Sequence, residues 1–525
     1  MPAPSTKVPK MPAILGTLLK NTIALSHKLK REKSPFQQQE KTLLKLLIKA
    51  KDTAFGIHYQ FDKILKSSDP IKTFQEKIPT HDYSKIYKEW WYRTLNGEPF
   101  ICWPGYTKYF ALSSGTSEAS SKYIPVTKDM LKAIQNGAIR QILSTAHFNM
   151  PPEIYQKGIL MIGGSTHLNY NGTYFAGDLS GITTGHIPFW FQHHYKPGKK
   201  ISGYKDWNTK LNEMTLHAHK WDIGIVVGVP AWIQILMEKI LDYYKINSIH
   251  ELWPHFKIYV HGGVAIHPYK TSLKKMFSKE VLFIDTYLAS EGFIAYEETP
   301  NEQQAMRMIL NNGIFFEFVP FNEKNFDADG NMVEHPETFL INEVEENKEY
   351  ALLLSTCAGA WRYLIGDTIK FTNTQKAEIL ITGRTKHFLN LCGEHLSVEN
   401  MTKSIELTAR DLNIEINEFT VAGIQHENLF AHHWYVGTNK MVDAEWIKTK
   451  LDNYLKALND DYRVERLAAL KDVFVTVLPS ELFIQFLEYK KRIGAQSKFP
   501  RVIKGALYEE WKEFLHQKGY LIRTE

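Results

Sequence analysis

Cysteine is scarce. Cys102, Cys357 and Cys392 are the only three in 525 residues, and none belongs to a Cys-x-x-Cys pair. With no spacing for a disulfide framework, the chain reads as one that folds in a reducing, cytoplasmic compartment. Long apolar runs are missing too. None approaches the roughly 18 residues of a membrane helix, and the short stretch at 11–19 lacks the length and cleavage site of a secretory leader. It reads as an amphipathic helix that packs on its own protein. Nor is charge of one sign in excess: a net charge of +6 and a pI near 8.7 fall short of the dense basic stripe of a nucleic-acid binder. No nucleic-acid partner and no membrane insertion are expected. Two further absences narrow the chemistry. The paired glycines and Lys-Ser/Thr of a Walker A loop are not found, and neither is the Gly-x-Ser-x-Gly elbow of a serine hydrolase. His193 and His194, His217 and His219, and His432 and His433 are close pairs with no third ligand at metal spacing, so non-metal roles are expected. Nothing indicates an oligomeric state.

The hydrophobic fraction is 44% and the charged fraction 23%, an ordinary globular balance at a length that calls for two or three domains. Residues 11–95 read as mainly helical, with Leu43, Leu44, Leu46, Leu47 and Ile48 at helix spacing in 37–51 and an aromatic-faced helix at 80–96. The stretch 127–145 carries Leu131, Ile134, Ala138 and Ile142 at periods of three and four, with Thr127 as cap. Strands are expected at 158–162, 222–229, 256–260 and 281–287, and helices at 232–244 and 268–277. Such alternation indicates an α/β fold with parallel pairing, in which ligands sit at the carboxyl ends of strands. The long irregular stretch before 195 offers Phe175, Leu179, Ile182, Phe189, Trp190 and Phe191 for an apolar ligand pocket or for core. From 313 to 371 the strands are closer, around a tight turn at 327–330, and suggest an antiparallel subdomain. Residues 386–525 read as a small α+β domain with helices at 398–412 and 444–458. The expected division is a large N-terminal domain, 1–385, and a small C-terminal domain, 386–525.

The stretch 109–125 is the one around which the rest is organised. After an apolar strand it turns to Ser113, Ser114, Gly115, Thr116 and Ser117, and it ends at Lys122. Such a loop can aim backbone N–H groups and hydroxyls at a polyphosphate while the lysine supplies a compact charge, although a Ser/Gly/Thr run is also an ordinary solvated turn. Other polar motifs follow predicted strands: His261-Gly262-Gly263, then Thr286-Tyr-Leu-Ala-Ser-Glu-Gly292, then Tyr363-Leu-Ile-Gly-Asp367, then Gly383-Arg384. Together they hold what adenylation of a carboxylic acid needs. These are donors for a triphosphate, a carboxylate for Mg²⁺, an acid for the ribose hydroxyls and a mobile cation.

In order and separation, Ser113–Lys122, Thr286–Gly292 and Tyr363–Asp367 resemble the three nucleotide-binding motifs of the Gretchen Hagen family of acyl-acid amido synthetases, the auxin-conjugating type, within the adenylate-forming superfamily. The resemblance implies a large N-terminal adenylate-forming domain that binds ATP and the acyl acid, with a small mobile C-terminal domain. It also implies ATP and Mg²⁺ as cofactors, and a small carboxylic acid and an amino acid as reactants. Ser113, Ser114, Gly115, Thr116, Ser117 and Lys122 would cradle phosphates, Glu291 would help hold Mg²⁺, and Tyr287 would lie against the adenine. Asp367 would accept the ribose hydroxyls, Thr286 and Tyr363 would belong to the nucleotide site with them, Gly262 and Gly263 would admit close backbone approach, and Arg384 and Lys386 would mark the hinge. Lys498 matches the C-terminal lysine that swings onto the phosphates, and with Glu291 it would be catalytic. Ala119 stands where a Gly is usual, and Leu364 where many members have an Arg. Transfer to a thiol such as coenzyme A, or nucleotide binding without turnover, are the alternatives.

Overall fold

The computed structural model describes residues 33–113, 122–264, 266–327, 330–386, 388–438, 440–490 and 499–520. Helix α1 (Pro35–Ala50) opens on a capping box in which Ser34 and Gln37 satisfy each other's backbone N–H groups. It is the helix expected at 37–51, and its Leu43, Leu46 and Leu47 stripe is buried. The aromatic stretch at 80–96 is helical as well, in three short turns. Its Trp90 and Trp91 belong to the core.

Strands β1 (Tyr109–Ser113) and β2 (Lys122–Val126) flank the Ser/Gly-rich stretch and pair antiparallel, with Ser113 opposite Lys122. The sequence reading places no strand at 122–126, and a proline such as Pro125 is ordinarily kept out of sheet interiors. The proline is accepted because β2 is the edge of a four-stranded sheet. Next come β3 (Gly158–Met161), β4 (Asn169–Tyr170), β5 (Phe175–Gly177) and β6 (Tyr195–Lys196). The predicted strands of the central region appear as β7 (Ile223–Val227), β8 (Ile258–Gly262) and β9 (Leu282–Ala289), followed by β10 (Gly292–Tyr296). The last group is β11 (Met306–Met308), β12 (Ile314–Pro320), β13 (Glu349–Thr356), β14 (Tyr363–Asn373) and β15 (Glu378–Arg384).

Eleven of these strands form one sheet in the order β12-β13-β14-β15-β11-β10-β9-β8-β7-β3-β6. Pairing is parallel from β6 to β9 and antiparallel from β9 to β12. The antiparallel part forms as expected and continues the parallel part, because β11 pairs with β15. Period-two alternation sets the two faces of the parallel half. Leu160, Val226, Tyr259 and Phe283 face helices α4 (Trp207–His217), α5 (Pro230–Tyr244) and α6 (His267–Lys275). Their neighbours Ile159, Ile225, Val260 and Ile284 form a separate apolar cluster on the opposite face. There α2 (Lys128–Ser144), capped by Thr127 as predicted, and α3 (Leu179–Gly185) pack. All labels α1–α6 follow chain order.

The C-terminal part has a four-stranded sheet whose long strands are Glu418–His426, Leu429–Gly437 and Leu470–Leu478. Its helices Val398–Leu412 and Ala444–Leu458 have the bounds read from the sequence. Its core is continuous with that under α5 and α6, running from Trp232 and Tyr269 into Leu396, Val421 and Trp434. Hydrogen bonds tie the seam: Tyr269 OH donates to the Leu391 carbonyl (2.8 Å), Trp232 Nε1 to Glu465 Oε1 (3.1 Å) and Gln234 Nε2 to the Asn428 carbonyl (2.9 Å).

Candidate active site

The carboxyl ends of β8 and β9 lie side by side. Gly262 is the residue that permits this, since a Cβ there would sit 2.4 Å from the Thr286 carbonyl oxygen. Gly263 then turns away with φ +82°, in the left-handed region. From the end of β9, Tyr287 reaches across the sheet. Its hydroxyl donates to Asp367 Oδ2 at 2.5 Å, and Arg384, the cross-strand partner of Asp367, places Nε 3.2 Å from Oδ1. One carboxylate is thus gripped from two sides by residues from three strands. The Tyr287 phenol is pushed well up by burial and by the Asp367 charge, so it stays a donor.

Glu291, in the turn after β9, is buried beside Lys122 at the start of β2. Desolvation raises the carboxyl, with Lys122 opposing, and lowers the lysine, with Glu291 opposing. Asp367 adds to the first shift, Arg384 and Lys386 to the second. Burial therefore drives both groups toward neutrality, and each is the other's main opposing charge, with Arg384 assisting Glu291 and Asp82 assisting Lys122. A buried carboxylate in such surroundings suits a hard divalent ion that brings phosphate oxygens with it.

Lys122 also lines a cavity of about 480 Å³. Its walls include Leu364, Ile365 and Gly366 before Asp367, and Arg384, Thr385 and Lys386 after β15. Arg384 Nη2 donates to the Ile365 carbonyl (3.3 Å), so a guanidinium covers the wall where Leu364 stands. Glu89 and Glu334 line it too, as do Asp82 and Lys85 of the N-terminal helical region. No sequence signal marks those two; they arrive because Leu364 N–H bonds the His81 carbonyl.

On the sheet face that carries Ile159, Ile225 and Val260 lies a second cavity of about 160 Å³, apolar and without a charged residue in its walls. Val260 and Leu288, each next to a nucleotide-motif residue, line it together with Ile134, Ala138 and Ile142 of α2 and Ile187, Pro188 and Phe191. Of the aromatics proposed for an apolar pocket, only Phe191 among the described side chains lines this one. Phe175 packs on Tyr109 and Tyr170, Leu179 and Ile182 are core, and Phe189 is 88% exposed.

The structure therefore brings together Ser113, Lys122, Gly262, Gly263, Thr286, Tyr287, Glu291, Asp367 and Arg384 around the strand ends. Tyr363 is fully buried against Trp91 and contributes no cavity wall; the three residues after it do. Ser114, Gly115, Thr116, Ser117 and Lys498 lie outside the described residues. The paired histidines have local partners: His217 and His219 meet the Glu213 carbonyl and Tyr244, and His432 meets Glu394. Among the described residues no helix is long and apolar enough to cross a membrane.

Comparison with known proteins places family domains along most of the chain. The GH3 family N-terminal domain matches residues 25–218, the GH3 family central domain 307–384 and the GH3 family C-terminal domain 399–506. Among curated proteins, indole-3-acetic acid-amido synthetase GH3.4 of Arabidopsis thaliana is 26% identical over 169 residues, covering 31% of this chain and 27% of that protein. Jasmonoyl–L-amino acid synthetase JAR4 of Nicotiana attenuata is 26% identical over 182 residues, covering 33% and 30%. The aligned stretch thus spans less than a third of either relative. Among solved structures, GH3.15 acyl acid amido synthetase aligns with a TM-score of 0.55 at 15% identity over 98% of this chain and 97% of that one. A 2-hydroxyisobutyryl-CoA ligase in complex with 2-HIB-AMP and CoA aligns at 0.54 and 12% identity, over 98% of each. These two likenesses show the fold.

Proposed function

The chain belongs to the GH3 family, and on that premise we propose that it adenylates a carboxylic acid with ATP and passes the acyl group to the amine of an amino acid. The observation that carries the reading is the cluster at the strand ends, where Asp367 receives the Tyr287 hydroxyl and faces Arg384 while Glu291 is buried beside Lys122; a cavity lined by Lys122, Arg384 and Lys386, and an apolar one lined by Val260 and Leu288, supply room for ligands. An acyl acid with its hydrocarbon in the apolar cavity presents its carboxylate at the strand ends, where the α-phosphate of ATP would be met. The carboxylate oxygen attacks that phosphorus and pyrophosphate leaves. The amine then attacks the acyl carbonyl, AMP departs, and the amine proton is lost.

In this reading Asp367, held between Arg384 and the Tyr287 hydroxyl, accepts the ribose hydroxyls. Lys122 and the stretch from Ser113 onward neutralise the triphosphate, and the Glu291 carboxylate is the protein ligand for Mg²⁺, which neutralises charge on the leaving pyrophosphate. Lys498 adds a cation from the C-terminal part. We place the boundary of the mobile unit after 385, so that the seam at Tyr269 and Trp232 is the surface that separates and re-forms. The three cysteines are buried free thiols, in keeping with a reducing, cytoplasmic setting. ATP–pyrophosphate exchange that requires an acid tests adenylation, and product analysis with amino acids and with coenzyme A separates an amine from a thiol acceptor. Exchange without an acid, or a thioester as sole product, would contradict the proposal.

A further inference from the structure

An amino acid brings its amine as an ammonium at neutral pH, so a group must take a proton from it before it can attack an acyl carbonyl. Asp178 has the placement for that step. It follows β5 and precedes α3, five residues or roughly 8 Å along the helix axis from Thr183 in the wall of the apolar cavity. Its carboxylate lies against the loop that leaves the carboxyl end of β3, where a Cβ on Gly164 would come within 2.1 Å of Asp178 Oδ2. The same loop receives Lys210 from α4, a buried side chain whose Nζ donates to the Gly163 carbonyl (3.1 Å). From the C-terminal part, the helix Asp460–Glu465 brings Asp460, Asp461 and Arg463, whose charges act on Asp178 across the seam. His395 Nδ1 stands 3.3 Å from Asp461, and Glu465 at the end of that helix feels the Asp178 charge in turn.

Asp178 differs from the other perturbed acids in two ways. It is exposed, and among the described residues its carboxylate has no hydrogen-bond or ion-pair partner. Solvent reaches it, yet protein surrounds it closely enough to push the carboxyl up to about 6; Asp461 and Asp460 add to the shift, while Lys210 and Arg463 oppose it. Glu291, Glu297 and Glu465 are also held above the usual carboxylate range, but all three are buried. A base must be within reach of its substrate, and Asp178 is.

We infer that Asp178 is the general base for the amine acceptor, which enters along the seam between α3 and the helix Asp460–Glu465 with its ammonium at this carboxylate. One ammonium proton passes to Asp178. The freed lone pair attacks the acyl carbonyl carbon of the adenylate, the bond from that carbon to the phosphate oxygen breaks, and AMP leaves with the electron pair. The second N–H proton goes to solvent, and so, from an exposed carboxyl, does the first.

This inference rests on the adenylation reading, and measuring the two half-reactions apart separates them. Acid-dependent ATP–pyrophosphate exchange reads the first. Amide formation, with the most active of the common amino acids and with hydroxylamine, which is neutral at pH 7, reads the second. Asp178→Asn should retain exchange, which also shows that it folds, and should lower kcat for amide formation with the amino acid by about 100-fold or more. The loss with hydroxylamine should be far smaller, because its lone pair is already free. Wild-type amide formation should rise with pH through about 6 and level off as the carboxylate ionises, whereas the variant should climb with the fraction of free amine into the alkaline range. A variant that forms amide at the wild-type rate, keeps the limb near pH 6 or loses exchange as well would overturn the role of Asp178 and leave adenylation standing. No exchange with any acid in the wild type would take both down together.

Discussion

Asp367→Asn isolates the ribose contact, because it keeps the shape of the side chain and removes its charge. In the structure Asp367 Oδ2 receives the Tyr287 hydroxyl at 2.5 Å and Oδ1 faces Arg384 Nε at 3.2 Å. A hydrogen bond to a charged group contributes about 1.5–3 kcal/mol, and the Asp367–Arg384 pair, part exposed, contributes less than its Coulomb energy suggests. Stability should fall by about 2 kcal/mol, since the amide can still accept from Tyr287 but places an NH₂ beside Arg384. The effect on nucleotide binding is the informative one. If the carboxylate accepts ribose hydroxyls, the variant should raise KM for ATP about 10- to 100-fold, which is the same 1.5–3 kcal/mol expressed as affinity. The assay is pyrophosphate exchange with ATP and with 2′,3′-dideoxy-ATP for wild type and variant. The wild type should discriminate between the two nucleotides, and Asp367→Asn should abolish most of that discrimination. A variant that melts earlier yet keeps the same ratio between the nucleotides would refute the assignment and leave Asp367 as a strut between strands.

Other consequences reach different parts of the molecule. Glu291 is driven above the usual carboxylate range by burial, so kcat/KM at low Mg²⁺ should rise with pH well above pH 5 as the carboxylate ionises, and Glu291→Gln should lose that limb; an unchanged profile in the variant would exclude Glu291 as its source. Lys122→Met removes the cation that most opposes that shift, leaving only the weaker effect of Arg384. It should cut exchange by about 100-fold or more and move the remaining acid limb to higher pH, which a pH series of initial rates would read. Arg362 is buried against Glu317 (2.9 Å) and also bonds the Gln75 and Ile78 carbonyls at 2.7 Å. Arg362→Met should therefore cost about 3–5 kcal/mol in denaturant unfolding, because it leaves the buried Glu317 carboxylate without its cation and with only the Gln75 amide as donor. Glu465, at the seam, is held well above its ordinary value of 4.5, so the folded chain keeps a proton that the unfolded chain releases. Stability from this group is then lost as pH rises above about 4.5, and Glu465→Gln should show a smaller drop in Tm between pH 5 and pH 8 than the wild type.

What the sequence made legible follows from how local each signal is. The apolar runs of β7, β8 and β9 and the periodic helices at 398–412 and 444–458 are set by neighbours within a few residues. Strand β2 was hidden: a proline such as Pro125 is ordinarily kept out of sheet interiors, and only the sheet order reveals that the strand occupies an edge. The joining of parallel and antiparallel halves depends on β11 pairing with β15, about seventy residues away, which no pattern in either segment encodes. The motif residues of the site were readable as strand-end residues, yet their mutual grip was not: Tyr287 and Asp367 are 80 residues apart in the chain. Asp82 and Lys85 carried no signal.

The central claim is that this site activates a carboxylic acid with ATP. Pyrophosphate exchange against a panel of aryl, indolic and fatty acids, run beside Asp367→Ala, tests it most directly. The account predicts exchange that requires an acid and disappears in the variant. Tight ATP binding with no exchange for any acid would instead describe a nucleotide-binding protein without turnover, and would contradict the account.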